Sequence, residues 1–191
     1  MVKVLSHIMP VVLALLIGAV ELVFTQEKVG SVYSDLAAKR CKTLTLDEET
    51  GASTQTCPGV ARYQLLVHDD DARQSITVIT PDGKEHDLDF WGVVTHGFSS
   101  VGEKAEWRVI RKNRKLSPIA LIVRVNASED PVNPTRITSY LTVTKLTPSE
   151  ICVTHKIPHS ANANANARRA ADKAKSAPCL KDLVTDRSRL K

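Results

Sequence analysis

Between His68 and His96 the chain concentrates the side chains best suited to proton transfer or cation binding: His68, Asp69, Asp70, Asp71, His86, Asp87, Asp89 and His96. His and Asp exchange protons near neutral pH when held within hydrogen-bond reach, so this segment carries the one enzymatic alternative, a hydrolase-type site. No nucleophile motif accompanies it. G-x-S-x-G, H-E-x-x-H and phosphate-loop patterns are missing, and Ser99 and Ser100 beside Phe98 read as a polar loop. No catalytic residue is therefore assigned. Hard cations need several convergent carboxylate oxygens, which makes Asp69 and Asp71 weak metal candidates. The alternating acidic pattern with a central Gly and a distal Glu is absent, so the run reads as a hairpin turn. No metal and no cofactor is expected.

Rings and cations offer a second kind of chemistry. Trp91, which follows Phe90, and Trp107 would form an aromatic surface with Arg111 and Arg114 of the run RKNRK, suited to an anionic sugar, a peptide or a lipid headgroup. The competing reading places both tryptophans in the core, because aromatics are only 4 % of the chain and a domain this poor in rings spends them on packing. The basic run lacks interleaved aromatics, so no nucleic-acid partner is expected.

Cys41, Cys57, Cys152 and Cys179 make an even set, read as two disulfides among three connectivities. Pairing neighbours in sequence gives Cys41–Cys57, which closes a polar loop, and Cys152–Cys179, which pins the C-terminal segment to the last expected strand. A zinc site would need a C-x-x-C or a tight Cys/His pair, and only Cys152 with His155 approaches one.

Disulfides require export, and the N-terminus has the layout for it. Lys3 precedes an apolar stretch of 13 residues from Ile8 to Val20, the length of a secretory h-region and too short for a span of about 20 residues. Residues 1–25 are read as a signal peptide. The protein is then periplasmic or secreted, with anchoring by an uncleaved segment as the alternative and the only route to a membrane.

The elements that must position these residues follow from patterning. With 191 residues, 42 % hydrophobic and 25 % charged, the chain suits one globular domain. Tyr63, Leu65 and Val67, then Ile76 and Val78, alternate with polar neighbours as two antiparallel strands joined at Asp69 to Asp71. Pro81-Asp82-Gly83 is a turn signal leading into a strand from Lys84 to Phe90. Further strands are expected at Ala105 to Arg111, Ile119 to Asn126, Ile137 to Lys145 and Ile151 to His155. The fold class is mainly β, a small antiparallel β-sandwich or open barrel over residues 31–157, with a short helix at Ser31 to Arg40 capped by Ser34. Residues 158–180 are an Ala-rich helical segment with little to bury, tethered by Cys179. Residues 181–191 form a basic tail. The formal net charge of +5 resides entirely after residue 160, where eight basic residues face three acidic ones.

The segments CPGVARYQLLV, DDDARQSITV, PDGKEHDLDFWGVV, FSSVGEKAEWRV, ITSYLTVTKL and APCL resemble a family of uncharacterised exported bacterial proteins. The resemblance covers about Tyr33 to Leu180 and implies export without implying an activity. Function is accordingly expected to be binding: a non-enzymatic interaction module of the bacterial envelope, taking an envelope protein, peptide or glycan. A further alternative is an envelope-associated protein acting through its basic C-terminal segment.

Overall fold

Ten strands of one open sheet make up just over half of the described residues. The structure, a computed structural model, describes residues 28–183. The expected signal segment at 1–25 and residues 184–191 of the expected tail lie outside the described residues. The strands are β1 (Val29–Asp35), β2 (Lys42–Leu46), β3 (Ser53–Pro58), β4 (Gln64–Asp70), β5 (Arg73–Ile79), β6 (Glu85–Asp87), β7 (Phe98–Lys112), β8 (Lys115–Ser128), β9 (Ile137–Leu146) and β10 (Ile151–Pro158). Two helices interrupt the series, α1 (Phe90–Val93) and α2 (Ala163–Asp172). The strand order is β10-β9-β8-β7-β5-β4-β3-β2, with β1 on β7 and β6 on β5.

Period-2 patterning sets the register. Leu65 and Val67 of β4 lie opposite Val78 and Ile76 of β5, so the apolar phases of both strands coincide. In β7 the phase Ala105, Trp107, Val109 points inward and meets Leu121, Val123 and Val125 of β8 in the same core. Two tight reversals hold these hairpins. Asp71 and Ala72 sit at φ 50° and 55°, and Asn113 and Arg114 at 48° and 62°, the left-handed pair that two-residue hairpin turns require. The basic run from Arg111 to Lys115 thus holds only a two-residue turn between paired strands.

Every pairing is antiparallel except one, which corrects the expectation of a purely antiparallel sheet. Arg73 of β5 bridges Ser99 of β7 in parallel, because β6 and α1 carry the chain across before β7 begins. The helix expected at Ser31 to Arg40 is also corrected. Residues 29–35 form β1 along the edge of β7, and helical geometry is confined to a 3-10 turn at Ala38–Arg40. Ser34 does not cap a helix; its hydroxyl accepts from Trp107 Nε1 at 2.9 Å. The segment expected as a polar loop between Cys41 and Cys57 is the β2–β3 hairpin.

The alanine-rich segment buries more than its composition suggests. Ala163, Ala167, Ala171 and Ala174 are all buried against Ala120, Ile122, Leu141 and Val143 on the face of the sheet opposite the main core. Small side chains let the helix lie close to the strands, so backbone proximity replaces side-chain bulk. Disulfides join Cys41 to Cys57 and Cys152 to Cys179. Both favour an oxidising, exported location. Among the described residues, no helix is long and apolar enough to cross a membrane.

Candidate functional site

Three segments converge around Arg73: the β4–β5 turn, α1 and the start of β7. The Ser99 N–H donates to the Ala72 carbonyl at 2.8 Å, which fixes β7 beside the turn. Asp89, itself at φ 43°, caps α1 by accepting from Gly92 N–H at 2.9 Å. Any side chain at Gly92 would collide with that carboxylate, since a Cβ there would lie 2.1 Å from Asp89 Oδ2. The short helix directs consecutive rings in opposite directions. Phe90 is fully buried, whereas Trp91 is 44 % exposed.

Trp91, Arg73 and Phe98 form a stack. The guanidinium carbon of Arg73 lies 4.7 Å from the Trp91 ring centroid and 4.6 Å from that of Phe98, which is 50 % exposed. His96 extends the stack, its ring 5.1 Å from Trp91. Each exposed cation–ring contact contributes about 0.5–1 kcal/mol, a modest bias toward the stacked arrangement. Asp71 pairs with the guanidinium, while Arg73 Nε is buried without a hydrogen-bond partner. The result is a surface of ring and cation made from residues distant in sequence.

The other residues singled out by sequence are placed elsewhere. Trp107 is fully buried, its ring 5.7 Å from Tyr63, so it belongs to the core and not to a surface with Trp91. Arg111 and Arg114 lie at the opposite end of β7 from Phe98, roughly 40 Å away at the rise of an extended strand. The cation beside Trp91 is therefore Arg73, not the RKNRK run. Sequence reasoning missed Arg73 because it stands alone after three aspartates, and only the parallel bridge to β7 reveals its neighbours.

The acidic and histidine residues each answer to a different partner. His68 lies between Thr54 and Thr77 at 3.2 and 3.0 Å. Asp69 accepts from Gln74 Nε2 at 2.9 Å, and Asp71 is engaged by Arg73. Asp87 accepts from the Asp89 N–H at 3.0 Å. His86 lines a groove of about 540 Å³ with Tyr63, Pro81, Lys84, Pro118 and Leu146. In that groove the Thr80 hydroxyl and Lys84 hold the Asp82 carboxyl down at about 2, and burial pushes the Tyr63 phenol up. Among the described residues no histidine of this segment bonds an aspartate. Among the described residues, the one set of three metal-type ligand atoms within reach of each other is Glu150, Cys152 and Cys179, whose two sulfurs are joined in a disulfide.

A buried charge cluster occupies the other side of β7 under α2. Glu106 accepts from Arg168 Nε at 2.6 Å, Arg168 Nη2 at 3.2 Å and the Ser31 hydroxyl at 2.5 Å. Arg108 grips Asp172 with two bonds of 2.7 and 3.0 Å, and Arg168 also donates to the Tyr33 hydroxyl at 3.0 Å. Part of the basic C-terminal segment is thus consumed in holding α2 to the sheet. No protein-family model, curated protein or solved structure matches the chain.

Proposed function

We propose that this chain is an exported, non-enzymatic binding module of the bacterial envelope, its open sheet folded over as a sandwich that presents Trp91 and Phe98 to a protein or peptide. The observation that carries this reading is the pair of half-exposed rings stacked on Arg73. Trp, Phe and Arg are enriched where proteins meet, because rings bury large area on docking. Rings already held in place lose little side-chain freedom on binding, which lowers the entropic cost of association. Export is supported by the apolar leader and by the two disulfides.

The test is affinity capture from the native envelope extract, comparing wild type, Trp91→Ala/Phe98→Ala and Arg114→Ala, a substitution at an exposed residue at the opposite end of β7 from Phe98. A partner retained by wild type and Arg114→Ala but lost by the double variant is the expected result. Retention of the same partner by the double variant would overturn the proposal. The double variant loses two cation–ring contacts, so it should unfold about 1–2 kcal/mol more easily than wild type while still folding.

A further inference from the structure

The last strand of the sheet leaves one edge open. β2 pairs only with β3, and all five of its residues are exposed, Leu44 at 51 % and Leu46 at 62 %. Open edges offer unpaired N–H and C=O groups to any incoming strand, and proteins usually blunt them with charge, proline, short length or a bulge. Between Thr43 and Leu46 this edge has neither charge nor proline, and a single bulge at Leu44 interrupts it. The charges stand at its two ends instead: Lys39, Arg40 and Lys42 lead in, while Asp47, Glu48 and Glu49 lead out. Among the described residues, Lys39, Arg40, Lys42, Glu48 and Glu49 form no ion pair.

This distribution is complementary to itself when reversed. We infer that β2 is a self-association edge, pairing antiparallel with β2 of a second copy about a two-fold axis near Leu44. Such an axis brings the Lys39–Arg40 end of each copy against the Glu48–Glu49 turn of the other and sets Leu44 beside its own counterpart. Because a two-fold interface uses the same patch twice, each favourable pairing occurs twice. A parallel arrangement would instead set like charges together, which directly opposed strands do not tolerate. The Cys41–Cys57 disulfide anchors the strand at its entry, so the edge is presented already ordered. The bulge between Thr43 and Thr45 limits the ladder to a few residues, which makes the dimer weak and concentration-dependent.

Sedimentation velocity of the oxidised protein purified from the exported fraction, over a concentration series at low and high salt, tests the inference. A monomer–dimer equilibrium that shifts to monomer as salt rises is expected. Arg40→Glu and Glu48→Arg should each weaken the dimer by about tenfold or more, since each places like charges opposite one another. Mixing the two variants should restore association, because the heterodimer again opposes unlike charges at both ends. That recovery excludes misfolding as the cause of the single-variant losses. A monomer at every concentration, a dimer indifferent to both variants, or a mixture that fails to associate would overturn the inference.

Discussion

Glu106 shows how a single buried carboxylate ties distant parts of the chain together. It is 9 % exposed and receives Ser31 from β1 and Arg168 from α2. Burial pushes its pKa up, but the hydrogen bonds from Arg168 and Ser31 outweigh burial and leave it below the ordinary carboxylate value. With the folded pKa depressed, the unfolded chain binds the proton more readily. The stabilisation is complete above the unfolded pKa of about 4.3 and is lost as pH falls through the lower folded value. Glu106→Gln should therefore cost roughly 2 kcal/mol at neutral pH, the scale of a hydrogen bond to a charged group. That gap should narrow in acid, and urea midpoints at neutral pH and near pH 3 measure it; a constant gap would contradict the assignment. At this scale the sequence was half legible. The scarcity of rings offered the core as the competing reading for Trp107, whereas Arg73 as the partner of Trp91 and Phe98 depends on a bridge between strands that no local pattern encodes.

The elements divide by how they obtain their burial. Strands β4, β5 and β7 to β10 carry apolar residues at period 2 and were readable within a few residues at most of their ends. β1, β2 and β3 carry Ser or Thr at many positions and few buried apolar residues, and β1 finds its partner only in the distant β7, so a loop or helix reading was locally as good. α2 was misjudged for a different reason: its burial was gauged from side-chain size, but alanine contributes by permitting close approach. That packing makes a measurable claim. Ala167 is fully buried against the sheet, while Ala165 on the same helix is exposed. Leu and Ala have similar helix propensities, so the two substitutions to Leu differ mainly in contact. Ala167→Leu should destabilise by about 1–3 kcal/mol through overpacking. Ala165→Leu should change stability by less than about 0.5 kcal/mol. Denaturant midpoints compare them directly, and equal effects would mean that the helix does not rest on the strands.

At the scale of the whole molecule, β7 is where the two ends of the described chain meet. One edge pairs with β8; the other is shared between β1, at residues 104–110, and β5, at Ser99. Its inner face carries Trp107, and its outer face holds α2 through Glu106 and Arg108. Two hairpins, β4–β5 and β7–β8, close through two-residue turns, whereas β1 must find residues about 70 to 80 positions away. Loop-closure entropy favours forming the hairpins first and adding β1 late. A late strand contributes to holding the fold together more than to reaching it. Val32→Ala, which trims a β1 side chain packed on the core, should therefore speed unfolding and leave the folding rate nearly unchanged. Stopped-flow refolding of the disulfide-intact protein should be slow, in the range of milliseconds to seconds typical of sheets built from non-local pairs. If Val32→Ala instead slows folding by its full equilibrium cost, β1 is part of the nucleus, and the chain must solve its longest-range pairing before its local ones.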